Sequence, residues 1–132
     1  MHQFSTRVYY EDTDAGGVVF YANYLKFAER ARTEWLRELG FNQSKLRETN
    51  GILFVVRSCK ADYLRPAKLD DELLIRTHLQ EMGKARMSMQ QEVFRASDQT
   101  HLTSIQVVLV RVDSNGKPTA IPDSIRTKMN HG

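Results

Sequence analysis

Residues 23–39 read NYLKFAERARTEWLREL. Tyr24, Phe27, Ala28, Ala31, Trp35, Leu36 and Leu39 recur at three- and four-residue spacing, while Lys26, Arg30, Arg37 and Glu38 fall elsewhere. That spacing gathers the apolar side chains on one face of a helix, so the segment predicts an amphipathic helix of about 16 residues, roughly 24 Å long. Asn23 is the expected N-cap, because a short polar side chain there can accept a hydrogen bond from the helix's first free N–H groups. Gly40 stands where a helix ends on a left-handed residue. Residues 43–48 add a short second helix. The long helix must bury its stripe, and the segments on either side of it are what can cover it.

Upstream, residues 5–10 (STRVYY) are β-prone and stop at the polar stretch 11–14, which predicts a first strand. Downstream of Gly51, residues 53–63, 72–82, 86–96 and 102–112 read as strands. They are separated by breaks at 65–71, at Gly83-Lys84, at 97–99 and at 113–116. In the last strand Ile105 and residues 107–110 are nearly continuous in apolar character, as in a central strand covered on both faces. Short breaks imply antiparallel neighbours, since a parallel crossover takes a dozen or more residues. One strand, one long helix and four antiparallel strands resolve into an α+β hotdog fold. In it a five-stranded antiparallel sheet wraps around the helix, in a single domain spanning residues 1–132. One sheet face and one edge stay incompletely covered, so a homodimer is the smallest expected assembly, with a homotetramer left open.

Composition narrows the setting. With 132 residues, 41% hydrophobic and 27% charged, the chain is an ordinary globular domain. Cys59 is the only cysteine, so no intramolecular disulfide can form, which favours a reducing compartment; the thiol is expected in the core. Residues 1–10 lack a charged start followed by an apolar run, and the longest apolar runs fall far short of the ~20 residues that span a bilayer. The expectation is a soluble, cytoplasmic protein with no transmembrane segment. The pI of about 9.1 accompanies a net charge of only +3. Lys and Arg are dispersed among acids, so no nucleic-acid surface is expected, while a local phosphate-binding patch stays open. His2, His78, His101 and His131 show no metal-ligand spacing, so no metal site is expected.

The chemistry concentrates in residues 9–24, YYEDTDAGGVVFYANY. Glu11, Asp12 and Asp14 sit between a strand and a glycine turn, and the long helix begins shortly afterwards. A helix N-terminus offers unpaired N–H groups and a partial positive charge, suited to an oxyanion. A carboxylate opposite such donors can attack a carbonyl or activate a water to do so, while the donors hold the developing charge. One such donor is typically worth about 3–4 kcal/mol in the transition state. By spacing alone, acids in this position are usually turn formers or partners of the helix dipole.

The segment RVYYEDTDAGGVVFYANYLKFAERARTEWLRELG, residues 7–40, resembles the signature of the 4-hydroxybenzoyl-CoA thioesterase family. Within that family it is most similar to the acyl-CoA thioesterases associated with the Tol–Pal cell-envelope system. Weaker likeness continues through FVVRSCKADYLRPAKLDDEL, residues 54–73, and the final strands. The resemblance implies hydrolysis of an acyl-CoA thioester to a free acid and coenzyme A. Coenzyme A is then part of the substrate and no cofactor is required; an acyl carrier protein is the alternative carrier. Asp14, the second aspartate of the turn, matches the family's catalytic carboxylate, acting as nucleophile or as general base. Tyr21, seven residues later, matches the residue whose backbone N–H polarises the thioester carbonyl. Gly17 would let the acyl group approach the backbone. Tyr10 matches an aromatic position near the site, with a packed strand tyrosine as its alternative. Lys84, in the hairpin of residues 82–86, falls where the family places basic nucleotide contacts. Arg86 stands where relatives more often have a small polar residue, and Arg57 would reach phosphate from a dimer seam; for all three cations a plain solvated charge is the alternative.

One departure bears on substrate. Many Tol–Pal-type relatives carry histidine in a Tyr-His-Ala-Asn pattern where this chain has Phe20-Tyr21-Ala22-Asn23, as in the hydroxybenzoyl-CoA branch. Aryl against aliphatic preference therefore stays open. An acyl-thioester hydratase or dehydratase would need a histidine beside the carboxylate, and none lies between His2 and His78. A non-catalytic module binding acyl carriers or envelope proteins is a further alternative, which the intact Asp14 and glycine turn oppose.

Overall fold

The apolar stripe of residues 23–39 folds as α1 (Asn23–Glu38) in the computed structural model, which describes residues 1–131 apart from the side chains of residues 49 and 50. Tyr24, Phe27, Ala28, Ala31, Trp35 and Leu36 are all buried along one side of it. The helix closes as expected, with Gly40 at φ 96 and the N–H of Phe41 donating to the Leu36 carbonyl at 2.8 Å. Its start differs from expectation. Ala22 is the capping residue and makes no side-chain cap, while Asn23 is the first helical residue and turns its amide elsewhere.

Around α1 lie β1 (His2–Arg7), a single 3-10 turn (Tyr10–Asp12), a short helix α2 (Gln43–Asn50), and strands β2 (Leu53–Tyr63), β3 (Glu72–Met82), β4 (Arg86–Arg95) and β5 (His101–Val112). All pairings are antiparallel, in the order β1-β3-β4-β5-β2. The helix lies across this sheet, and two clusters of side chains fill the space between. Near its start, Tyr24, Phe27, Ala28 and Ala31 meet Leu73, Ile75, Val93, Leu102 and Ile105. Near its end, Trp35 and Leu36 meet Met87, Met89, Val107 and Leu109. Each fully buried Phe, Leu, Ile, Val or Met among them contributes roughly 1.5–3 kcal/mol, and each alanine less. The fold is the expected α+β hotdog.

Three expectations are corrected and one element is added. β1 ends at Arg7, because its partner strand begins at Glu72, directly opposite; Tyr9 and Tyr10 therefore leave the sheet. β5 is an inner strand, but Gln106 is exposed and Val108 only half-buried, so its outer face is not covered. Cys59 is exposed, because β2 is an edge strand and residues 55–60 have nothing over them. A third helix, α3 (Asp123–His131), follows Pro122 and seats Ile125 and Met129 in the second cluster; with two apolar positions its periodicity is too sparse to read.

The sheet has two distinct ends. Arg7, Glu72, Arg95 and Tyr63 share one, and the β3–β4 hairpin at Gly83 forms the other. An eleven-residue strand such as β3 separates them by about 33 Å. Among the described residues no helix is long and apolar enough to cross a membrane.

Candidate active site

The segment from Tyr9 to Asn23 folds back on itself at the Arg7 end of the sheet, and Asp12 holds it there. Asp12 is buried; one carboxylate oxygen accepts the Tyr9 N–H at 2.9 Å and the other accepts the Asn23 side-chain amide at 2.8 Å. Its backbone carbonyl accepts the Phe20 N–H at 3.1 Å. A buried carboxylate is tolerated only when its oxygens are satisfied, and here the satisfying donors come from both ends of the loop. The result is a miniature ladder in which Thr13 bridges Val19 and the Asp14 N–H donates to the Val18 carbonyl at 2.9 Å.

Asp14 begins the turn at the tip of that ladder. Its Oδ1 accepts the Gly16 N–H at 2.8 Å, which fixes the carboxylate against its own turn. Among the described residues Oδ2 has no hydrogen-bond partner, and Asp14 is exposed. Gly17 adopts φ 77, and its N–H returns to the Asp14 carbonyl at 3.1 Å, so the turn needs a residue at ease in the left-handed region. A Cβ added at Gly16 would lie 3.2 Å from Asp14 Oδ1, so the backbone there must stay bare for the carboxylate to keep its place.

Tyr21 sits one residue before the capping Ala22, at the positive end of α1. Its two flanks are tied to Asp12, through the Phe20 N–H on one side and the Asn23 amide on the other. Among the described residues no acceptor takes the Tyr21 N–H. The turn carrying Asp14 and the free N–H of Tyr21 are thus positioned by the same buried residue. The Tyr21 ring is exposed and meets Tyr63 edge-on at 6.2 Å; Tyr63 in turn lies 5.5 Å from the Tyr24 ring. These rings, with Val19, Leu64, Arg65 and Pro66, line a mostly apolar hollow of about 250 Å³ beside the helix start, with Arg65 as its cation. Tyr24 closes its floor by accepting the Ala67 N–H at 3.0 Å, and burial pushes its phenol pKa up.

The other residues named from sequence lie as follows. Tyr10 opens the 3-10 turn four residues before Asp14 and is 82% exposed, so the packed strand tyrosine is excluded. Arg57 occupies a bulge in β2, exposed on the sheet edge, about 20 Å along the strand from Tyr63. Lys84 and Arg86 are exposed at the β3–β4 hairpin, the far end of the sheet from Asp14. Within one chain the structure therefore gathers Asp14, Gly17, Tyr21 and Tyr10 in one loop and leaves the three cations apart. The Asp12–Asn23 clamp and the Tyr24–Tyr63 wall were missed by sequence reasoning. The aspartate pair two residues apart was visible, but nothing in the spacing says which of the two turns inward.

The family model of the thioesterase superfamily matches residues 16–101, beginning two residues after Asp14. The chain is 42% identical over 128 residues to the acyl-CoA thioesterase YbgC of Haemophilus influenzae, covering 97% of this chain and 93% of that one. Among solved structures, a probable thioesterase from Bartonella henselae superposes with a TM-score of 0.87 at 38% identity, covering 92% of this chain and 98% of the other. The gentisyl-coenzyme A thioesterase BH1999 superposes with a TM-score of 0.86 at 28% identity, over 94% and 98% of the two chains.

Proposed function

The chain belongs to the thioesterase superfamily and is a thioester hydrolase, and from that premise we propose that it cleaves acyl-CoA to a free acid and coenzyme A with Asp14 as its catalytic carboxylate. The observation that carries this reading is the pairing of a carboxylate with one open oxygen and a helix-start N–H without an acceptor, both positioned by Asp12. The thioester carbonyl oxygen receives the Tyr21 N–H, and negative charge grows on it as the carbonyl carbon is attacked. Either Asp14 Oδ2 attacks, forming an anhydride that water then opens, or Asp14 takes a proton from the water that attacks. In both routes the C–S bond breaks and coenzyme A leaves as thiolate, taking up a proton from solvent.

The nucleotide end of the substrate needs cations, and the Asp14 loop has none of the three expected. Lys84 and Arg86 are about 33 Å away along β3, so in this proposal they serve the site of another copy of the chain, and Arg57 reaches across the β2 edge. That requires an oligomer. An exposed, unpaired Cys59 suits a reducing compartment, and we place the reaction in the cytoplasm.

The test is thiol release from short, long and aromatic acyl-CoAs by the wild type and by Asp14→Ala. Turnover by the wild type and none by a variant with an unchanged melting temperature is expected. Undiminished turnover by the variant removes Asp14 from the mechanism, and tight binding with no cleavage by either protein favours a binding module. Single turnover in ¹⁸O-water separates the two routes, since only the anhydride route can leave ¹⁸O in Asp14.

A further inference from the structure

The seam between α1 and β2 is hollow beyond the Tyr21 wall. One turn further along the helix a second cavity, about 320 Å³, is lined by Leu25, Lys26, Glu29 and Arg32 of α1, Val56 and Cys59 of β2, and Val107 of β5; Lys26 is an exposed second cation of that lining. Tyr63 of the first hollow and Cys59 of the second lie on the same strand, four residues apart and hence on the same face. Both hollows lie in the trough between α1 and β2, one beyond the other, with no lining residue in common. Arg32 recurs in a third hollow with Leu36, Phe54 and Leu109, closing the trough's far end. By helical rise Arg32 is about 14 Å from Asn23, and its long side chain leans back toward the helix start.

Arg32 is the anomaly in this trough. It is 8% exposed, between apolar side chains and the charged Lys26 and Glu29. Its Nη1 donates to Gln91 Oε1 at 3.0 Å, and Gln91 is otherwise occupied, donating to the Ala28 carbonyl at 2.9 Å and to Thr77 Oγ1 at 3.0 Å. That network holds the guanidinium in place without neutralising it. Among the described residues no carboxylate lies within ion-pair distance of Arg32, and its remaining N–H groups have no hydrogen-bond acceptor. Glu29 is on the same helix one turn earlier, exposed at the cavity mouth, and forms no ion pair with it. Burial lowers the Arg32 pKa, and the nearby Glu29 charge and Cys59 oppose that shift without cancelling it. A buried charge is normally paired, and one kept in fixed geometry without its pair calls for an anion from outside the chain.

We propose that Arg32 reads the far end of the acyl group: the trough takes an acyl chain whose thioester sits at Tyr21, and the guanidinium binds a carboxylate at that chain's other end. The preferred substrates are then acyl-CoAs of medium length ending in a carboxylate, held by a two-pronged guanidinium contact. This rests on the thioesterase reading and adds the substrate class to it.

The experiment compares kcat/KM for suberoyl-CoA and octanoyl-CoA, matched in length and differing in their terminal group. It uses the wild type, Arg32→Met, Arg32→Lys and Glu29→Gln, with sedimentation run alongside. The wild type should favour suberoyl-CoA by at least about tenfold, the usual scale of a hydrogen bond to a charged group. The ratio should collapse toward unity in Arg32→Met, fall part of the way in Arg32→Lys, and hold or rise in Glu29→Gln. Should Arg32→Met fail to fold, Arg32→Lys carries the same comparison. Cleavage of both substrates by the wild type without preference overturns the subsite and leaves the thioesterase reading standing. So does an unchanged ratio in the Arg32 variants. Equal loss of both substrates together with loss of the oligomer also overturns it, assigning the missing anion to a second copy of the chain. Cleavage of neither substrate by the wild type overturns both.

Discussion

Both carboxylate oxygens of Asp12 are engaged inside the protein, whereas Asp14, two residues on, keeps one oxygen open to solvent. In the proposed mechanism the difference separates a positioning residue from a catalytic one, and substitution should show it. Asp12→Ala frees the loop from α1, and a misplacement of about 1 Å can cost on the order of 100-fold in rate. We expect kcat to fall by roughly 10- to 100-fold with a smaller change in KM. Asp12→Asn should recover most of the rate, because the amide oxygen it introduces can still accept from Tyr9 while the Asn23 amide turns to accept from the new N–H group. Equal damage by both variants would show that charge, not geometry, is what Asp12 supplies. The neighbouring glycines divide similarly. Gly17→Ala forces a side chain into the left-handed region and should lower stability by about 1 kcal/mol. Gly16→Ala presses on Asp14 Oδ1 at 3.2 Å and should lower kcat more than it lowers the melting temperature. Thermal melts beside steady-state kinetics check both.

At the scale of elements, among the described residues one side-chain hydrogen bond, made by a phenol, ties α1 to the chain before β3. Tyr24 accepts the N–H of Ala67, which is fully buried. Tyr24→Phe leaves that donor unpaired and should cost about 1–3 kcal/mol in a urea melt. The same phenol gives the fold an alkaline limit. Burial raises its pKa above the ordinary value of 10.0, so the folded state holds the proton more tightly than the unfolded chain does. That stabilisation is fully present below about pH 10 and is lost as the pH rises through the raised value. Tyr63, also raised by burial, acts in the same direction. Urea melts between pH 8 and pH 11 should show stability falling at the alkaline end, less steeply in Tyr24→Phe. A flat profile in the wild type would mean that neither phenol is protected.

For the whole molecule the decisive feature is β2. It is an edge strand, with Val55 40% and Val56 52% exposed, and Tyr63 and Leu64 exposed at its end. A long apolar edge invites another strand, and if Lys84 and Arg86 hold the nucleotide as proposed, their distance from Asp14 calls for another chain. Val56→Lys should put a charge into that contact. Sedimentation of the wild type should give a dimer or tetramer, and the variant should move toward monomer with a raised KM for acyl-CoA. A monomeric wild type with full activity would leave the three cations without a role in binding.

Periodicity and chain order were enough to settle the hotdog. The apolar stripe of α1 and the short breaks between four strands admit few other packings, and strand limits such as Leu53–Tyr63 and Glu72–Met82 stand where alternation and turn residues put them. The stretch holding Asp14, Gly17 and Tyr21 stood out because acids, glycines and a helix start adjoin one another along the chain, while the roles expected of these three residues came from the family resemblance. Features that depend on which strand lies at an edge came only with the packed molecule. Cys59 is exposed because nothing pairs beyond β2, and Lys84 and Arg86 lie far from Asp14 because the hairpin falls at the sheet's other end. Asp12 turns inward because Tyr9 and Asn23, far apart in sequence, bring their donors to the same place. Sequence periodicity records which face of an element is apolar; burial and hydrogen-bond satisfaction are settled between elements, once they meet.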